Sequence, residues 1–390
     1  MTAFFNMAKT AHADAAAQTL GEQLDRLTAP GSLFQKEDGA VRCLACGHRC
    51  RIPEGRRGIC KVRFNRQGEL RVPFGYVAGV AVDPIEKKPF FHVLPGADAL
   101  TFGMLGCDLH CSYCQNWITS QALRDPAAGA PVQEVTPQQL VRAARREGAQ
   151  VVVSSYNEPL ITAEWAAAIF AEARQAGLLC AFVSNGNATP EVLDFLQPYL
   201  AAYKVDLKGF NDRAYRSLGC PLKSVLDTLT QLVQRGLWVE VVTLLVPGFN
   251  DDPQELRDLT RFLAGLNRDL PWHVTAFHPD YKMTGARRTA AAELMRAAEI
   301  GAEAGLRYVY AGNLPGRAGP WENTRCPQCQ ATVIERCGFT VLANRLTAEG
   351  ACPECHTRLP GIWRAPGAEA AHPNLDGRWR VPRPIHLPGA

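Results

Sequence analysis

The sequence predicts an α/β fold, a partial or complete (β/α) barrel with small Cys-rich modules at both ends. Short apolar runs alternate with helix-like segments through the middle of the chain, and the cysteines gather in groups rather than scatter. The segments between the runs open on helix-start residues and several close on Gly, so the pattern is strand–helix repeated. Repeated strand–helix units build a parallel sheet, and about six imply a barrel, with a flat doubly wound sheet as the competing arrangement.

Taken in order, residues 1–40 read as an N-terminal helical segment and 41–95 as a four-cysteine module with a connecting linker. Residues 96–318 read as the barrel core, 319–366 as a second four-cysteine module, and 367–390 as an irregular tail rich in Pro, Gly and His. The expected strands are 99–105, 150–156, 178–185, 201–207, 237–246 and 272–278, whose nearly continuous Val, Leu and Phe suit strands buried on both faces. Thr136, Thr162 and Thr189 stand at expected helix caps, and Pro137, Pro190 and Pro253 in first turns. The stretch "DPIEKKP", with Asp83, Glu86, Lys87 and Lys88, reads as a solvated charged linker, with a rim that meets a macromolecular partner as the functional alternative.

The 42 basic and 38 acidic residues leave a net charge of +4, which makes no electrostatic case for nucleic acid or an anionic membrane. No basic-then-apolar leader and no run of eighteen apolar residues occurs, so a soluble cytoplasmic protein is expected. Most of the 14 cysteines sit in C-x2-C or C-x3-C pairs, which in a reducing compartment read as metal sites rather than disulfides. Cys180, inside "LLCAFV", reads as an inert buried thiol.

The stretch "GCDLHCSYCQNW" holds Cys107, Cys111 and Cys114, one thiol short of a closed tetrahedron, and His110 is too near Cys111 to complete it. A [4Fe–4S] cube held by three thiolates leaves one iron open for a ligand. The triplet follows the first expected barrel strand, on the rim where barrel active sites sit. Later strand ends carry polar residues toward the same rim: Asn157 and Glu158, Ser184 and Asn185, Asp206 and Lys208, and His278. A Lys208 ammonium suits a carboxylate, and an Asp206 carboxylate a hydroxyl or cation.

Cys43, Cys46, Cys50 and Cys60 suit a small structural zinc site, although an auxiliary iron–sulfur cluster accepts the same ligands, and zinc is the preferred expectation. Cys326, Cys329, Cys352 and Cys355 form two C-x2-C knuckles, as in a zinc ribbon, where zinc would staple a segment too small to build a core alone.

The C-x3-C-x2-C spacing with Tyr113 before the last Cys resembles the signature of the radical S-adenosylmethionine (SAM) superfamily. With "DPIEKKPFFHVLPG", "CQNW", "SYNEP", "YKVDLKGFN", "VTLLVPGFND", "FHPDYKM" and "YAGNLPG", residues 40–365 are similar to the AmmeMemoRadiSam-system radical SAM enzyme, related to pyruvate formate-lyase activating enzymes. The resemblance implies a barrel of the radical SAM type and a [4Fe–4S] cluster on Cys107, Cys111 and Cys114. It also implies SAM, met by Tyr113, Asn157, Glu158, Ser184, Asn185, Asp206, Lys208 and His278, and cleaved reductively to a 5′-deoxyadenosyl radical that abstracts hydrogen. "SYNEP" departs from the Gly-Gly-Glu-Pro-like stretch of the activating enzymes. A glycyl position on a protein is one implied target, and a small molecule or another protein side chain the alternative. A flavodoxin or ferredoxin donor is expected, and Memo-like and AMMECR1-like proteins are implied partners. A zinc-binding Cys-rich scaffold is the reading from another class, separated by its arithmetic: a scaffold closes every metal site, whereas the enzyme leaves one iron open.

Overall fold

The computed structural model describes residues 19–365, 382–385 and 387. Its largest element is a nine-stranded sheet. We label its strands β1 (Gly79–Pro84), β2 (Asp98–Gly103), β3 (Val151–Ser154), β4 (Leu179–Ser184), β5 (Ala202–Asp206), β6 (Trp238–Leu245), β7 (Trp272–Ala276) and β8 (Val309–Gly312). Neighbours follow chain order from β8 back to β1, with Arg383–Pro384 beyond β1. Strands β2 to β8 run parallel, β1 pairs antiparallel with β2, and Arg383–Pro384 pairs antiparallel with β1. The sheet therefore does not close on itself, and the barrel is partial.

Every residue of β3 and β7 is buried, as expected where helices cover one face and a filled interior the other. The covering helices are α1 (Pro137–Arg146), α2 (Ala163–Gln175), α3 (Pro190–Leu196), α4 (Asp212–Leu218), α5 (Leu222–Gln234), α6 (Pro253–Leu266) and α7 (Ala291–Glu303). Thr136 forms a reciprocal capping box with Gln139, and Thr189 and Asp252 accept first-turn N–H groups. Thr162 makes no such cap, because the tight turn Pro159–Thr162 precedes α2 and the Thr162 hydroxyl donates back to the Pro159 carbonyl at 3.2 Å. Strand β8 was not among the expected runs.

Of residues 1–40, positions 1–18 lie outside the described residues, and the helical expectation holds beyond them only over Leu20–Arg26. Thr28–Pro30 and Phe34–Glu37 are strands of two three-stranded sheets, joined by Phe64–Arg66 and Glu69–Pro73 in one and Ala40–Cys43 and Arg51–Pro53 in the other. Arg63 docks this module on α2: its guanidinium bonds both carboxylate oxygens of Glu164, at 2.8 and 2.7 Å, and the Ile161 carbonyl at 3.1 Å.

The expectation of a solvated linker at "DPIEKKP" is corrected: Asp83, Glu86 and Lys88 are buried. The segment runs under the C-terminal ribbon (Thr324–Arg325, Thr332–Cys337, Thr340–Asn344), which packs against Phe91 and against Tyr308 and Tyr310 at β8. Arg336 lies over the Phe91 ring at 4.2 Å, donates to the Phe91 carbonyl at 2.8 Å and approaches Glu86 at 3.6 Å. Most of the expected irregular tail, 367–390, lies outside the described residues, but Arg383–Pro384 within it is a strand. No helix of the described residues is long and apolar enough to cross a membrane.

Candidate active site

The C-terminal ends of the parallel strands surround a cavity of about 310 Å³. Cys107, Cys111 and Cys114 line it from the loop after β2. The loop is held in shape by its own sulfurs and neighbours: Leu109 N–H approaches the Cys107 sulfur at 3.3 Å, and Ser120 Oγ lies 3.2 Å from the Cys114 sulfur. Burial pushes all three thiols up, Cys111 to about 12. A group that binds them as thiolates must therefore supply the compensating positive charge, as iron does.

Gly106 explains how this loop is approached so closely. Its φ of +98° suits glycine, and a Cβ there would stand 3.0 Å from Val62 and 3.3 Å from the Cys60 carbonyl. The N-terminal cysteine module therefore lies directly against the triplet loop.

Asn157, Glu158, Ser184, Asn185, Asp206, Lys208 and Tyr113 all line the cavity, as the sequence led us to expect. They are not equally free. The Asn157 side chain accepts from Met104 N–H at 3.0 Å and donates to the Glu158 carbonyl at 3.1 Å, so it braces the loop. Glu158 accepts from Leu160 N–H (3.0 Å), Ser184 Oγ (2.7 Å) and Asn185 N–H (2.8 Å), which ties the ends of β3 and β4 together. Burial, with Asp108 next, pushes the Glu158 carboxyl up to about 8.

On β5, Asp206 sits between Lys204, in direct contact, and Lys208 at 3.4 Å. Against burial, the two ammonium groups hold Asp206 below the usual carboxylate range. Tyr113 is buried against Phe249, ring centres 5.3 Å apart, and its hydroxyl has no hydrogen-bond partner among the described residues, so one polar atom of the wall is left for a bound molecule. His278 is not on the cavity wall: β7 ends at Ala276, and the His278 ring instead meets the Gln115 amide at 3.0 Å.

Sequence reasoning missed the inner wall. Lys88, Lys204, His273 and Tyr310 line the cavity. Lys88 pairs with Asp83 and lies over the Tyr156 ring at 4.5 Å. Burial pushes Lys88 down to about 8, whereas Asp83 is held down to about 2 by Lys88 and Lys87 against its own burial; both directions leave the pair ionised at neutral pH. His273 meets Glu240 at 2.6 Å, and Glu240 also accepts Phe91 N–H and His92 N–H, each at 2.9 Å. For Lys204, His273 and Tyr310 the only signal was the alternation of β5, β7 and β8, which turns every second side chain inward, whereas Lys88 comes from the "DPIEKKP" segment between β1 and β2. Glu322, Gly338 and Phe339 complete the wall from the C-terminal ribbon and the turn before it.

The other cysteine groups differ in geometry. The C-terminal four have sulfurs all within 4.8 Å of one another, with Cys326–Cys355 at 3.5 Å and Cys329–Cys352 at 3.6 Å. The N-terminal four gather around a hairpin, where Cys43 N–H donates to the Cys50 carbonyl at 2.9 Å and Ile59 N–H approaches the Cys50 sulfur at 3.5 Å.

The donor set around the cavity fits a cluster and an amino-acid-bearing cofactor: three thiols on one loop, paired ammonium and carboxylate groups on β5, and hydroxyl and amide groups on β4. Residues 102–263 match the Radical SAM superfamily, a span that starts at the end of β2, includes the triplet and stops within α6. Both outer cysteine groups lie beyond it. An uncharacterized protein of Methanocaldococcus jannaschii is 38% identical over 315 residues, covering 80% of this chain and 92% of its own. A pyruvate formate-lyase-activating enzyme of Staphylococcus aureus is 29% identical over 196 residues, 47% of this chain and 76% of the relative. A solved radical SAM methyltransferase from Sphaerobacter thermophilus overlaps 56% of this chain and 67% of its own at 19% identity and a TM-score of 0.45. With the triplet on the rim of a parallel partial barrel and near the start of the matched span, residues 102–263 form a radical SAM domain.

Proposed function

We propose that Cys107, Cys111 and Cys114 hold a [4Fe–4S] cluster whose open iron binds SAM, and that the chain uses the pair to abstract hydrogen from a substrate. When bound, that cofactor pair supplies one electron to the sulfonium and yields the 5′-deoxyadenosyl radical. The observation that carries this reading is the three-thiol loop facing a cavity whose other walls are charged and hydrogen-bonding.

The chain's residues would bind and orient. Lys208 offers an ammonium to the methionine carboxylate, and Asp206 accepts from a hydroxyl or the amino group, the role implied by resemblance. Ser184 and Asn185 lie at the end of β4, fixed by Glu158, and present amide and hydroxyl groups on the same wall. Glu158 acts by fixing β4, since its own oxygens are already engaged. His278 would act only through Gln115. The ribbon and the Phe91 segment shield the interior from water.

Similarity to the activating enzymes supports a protein substrate, such as a glycyl position, and a flavodoxin or ferredoxin as electron donor. We assign the chain to the AmmeMemoRadiSam system from the collinear motifs, with Memo-like and AMMECR1-like proteins as partners. The C-terminal four cysteines would hold zinc, for which their sulfur spacing is suited.

The test is anaerobic reconstitution with iron and sulfide, then SAM and dithionite, with 5′-deoxyadenosine measured. The parent protein should form it and Cys111→Ala should not. Equal yields from both proteins, or none from a parent with a verified cluster, would overturn the assignment.

A further inference from the structure

The polar groups of the inner cavity wall divide into those already engaged and those that are not. His273 meets Glu240, and the Tyr310 hydroxyl lies between His92 Nε2 at 2.6 Å and the Thr324 hydroxyl at 2.9 Å. Glu322 accepts Gly316 N–H and Gly338 N–H, each at 2.7 Å. These groups are satisfied within the fold.

The segment between β1 and β2 is different. Asp83 holds two ammonium groups, Lys87 at 2.8 Å and Lys88 in direct contact, and also accepts from the Tyr156 hydroxyl at 2.6 Å. One carboxylate therefore faces two cations. The Lys88 side chain is only 4% exposed and Asp83 is fully buried, so water does little to screen the excess charge. Of the three N–H groups of Lys88, Asp83 takes one and the Tyr156 oxygen, at 3.4 Å, is within reach of a second. The third is left for the cavity that Lys88 lines.

On β5 the same arithmetic recurs, with Asp206 between Lys204 and Lys208. There the spare ammonium, Lys208, is matched by the methionine carboxylate in the function proposed above. Lys88 has no such match. Two residues before it, Glu86 offers the opposite chemistry: Oε1 accepts Gly96 N–H at 2.9 Å and faces Arg336 at 3.6 Å, while Oε2 is buried with no hydrogen-bond partner among the described residues. A buried oxygen without a partner, on a residue of the cavity wall, points to a donor on a bound molecule.

The backbone is shaped to keep this arrangement. Tyr156 has a φ of +70°, which is uncommon for a bulky residue, and Gly103 makes room for it: a Cβ there would stand 2.4 Å from the Ser155 carbonyl and 2.7 Å from the Tyr156 Cβ. The result is a phenol on Asp83 and a ring 4.5 Å from the Lys88 ammonium.

We propose that the inner part of the cavity binds a carboxylate of the substrate at Lys88 and a neighbouring O–H or N–H donor of it at Glu86. An excess of one positive charge suits a carboxylate better than a phosphate, which carries close to two negative charges at neutral pH and would meet Glu86 and Glu322 on the same wall. An uncharged glycyl backbone by itself leaves Lys88 unmatched. A free hydroxy acid and an aspartyl side chain of a protein share the required chemistry. That the bound molecule is the substrate rests on the radical SAM reading given above; the carboxylate site does not.

Calorimetric titration of the full chain before reconstitution tests the site. Lactate and N-acetylaspartate N-methylamide represent the two sources, each compared with its uncharged amide, lactamide or the asparaginyl analogue. At least one acid should bind with a Kd on the order of 1 mM or tighter, at least about tenfold below that of its amide. The tighter of the two names the source. The preference for acid over amide should survive Lys208→Met and Lys88→Arg and vanish in Lys88→Met, in which Asp83 keeps Lys87 and the Tyr156 hydroxyl as partners. Equal binding of acid and amide, no binding of either acid at about 20 mM, or a preference lost in Lys208→Met and kept in Lys88→Met would overturn the site. If Lys88→Met does not fold, the comparison of acid with amide in the parent and in Lys208→Met decides alone. The 5′-deoxyadenosine assay reads the other question: its failure in a parent that binds the acid would sink the proposed function and leave the carboxylate site standing, and its success in a parent that binds neither acid would do the reverse.

Discussion

His92 shows how a single buried side chain ties the modules together. Its Nδ1 donates to the Pro360 carbonyl at 2.8 Å, so Nε2 is left to accept from the Tyr310 hydroxyl at 2.6 Å, and Tyr310 in turn accepts from Thr324 at 2.9 Å. The neutral imidazole is the form that fits, and burial pushes His92 down to about 4. Because the folded value lies below the ordinary one, the unfolded chain takes up the proton first as pH falls. Stability should therefore decline between about pH 6.5 and pH 4, by on the order of 3 kcal/mol if His92 acts alone. Denaturant titrations across that range should show a steeper loss in the parent than in His92→Asn, and equal slopes would refute the linkage. At this scale the sequence was most legible where chemistry is encoded by spacing, as at Cys107, Cys111 and Cys114. It was least legible for Lys88, His92 and His273, whose roles come from burial by segments remote in the chain. His278 lies two residues beyond the end of β7 and reaches the cavity through Gln115.

At the scale of elements, the six expected strands are present because long Val- and Leu-rich runs flanked by capped helices have few other ways to bury both faces. Strand β8 escaped notice because it is four residues long and carries Tyr310, and its cover is the distant ribbon rather than the next helix. The linker was misread for a related reason: four charges in "DPIEKKP" suggest solvent, yet Asp83 and Glu86 find buried partners in Lys88 and Arg336. The N-terminal module depends on a comparable pair. Arg63→Met would leave Glu164 buried and short of its two strongest donors, with only the Ser32 and Leu33 N–H groups at 3.4 Å. Loss of one partner from such a pair costs about 3–5 kcal/mol. Chemical denaturation should show that loss, whereas the double change Arg63→Met/Glu164→Leu should recover most of it.

Across the whole molecule, the partial barrel is flanked by parts that are not strands of its sheet. The Phe91 segment and the ribbon pack together at β8, and four cysteine sulfurs draw together within the ribbon. Loss of the zinc proposed for that group should therefore affect more than the ribbon. In Cys329→Ser/Cys352→Ser we expect about one zinc fewer per chain and a Tm lower by at least about 5 °C, measured by metal analysis and thermal unfolding. Unchanged zinc would show that these four thiols are not the ligands.

The wall of the cavity also has an order of synthesis. Cys43 to Cys114 leave the ribosome first, then the strands that carry Glu158, Asp206 and Lys208, and only afterwards Glu322, Gly338 and Phe339. A chain interrupted before Glu322 holds every thiol of the triplet but lacks one side of its chamber. In such a chain the side of the cavity formed by Glu322, Gly338 and Phe339 stands open, so iron and sulfide for the proposed cluster would meet the triplet with less in their way.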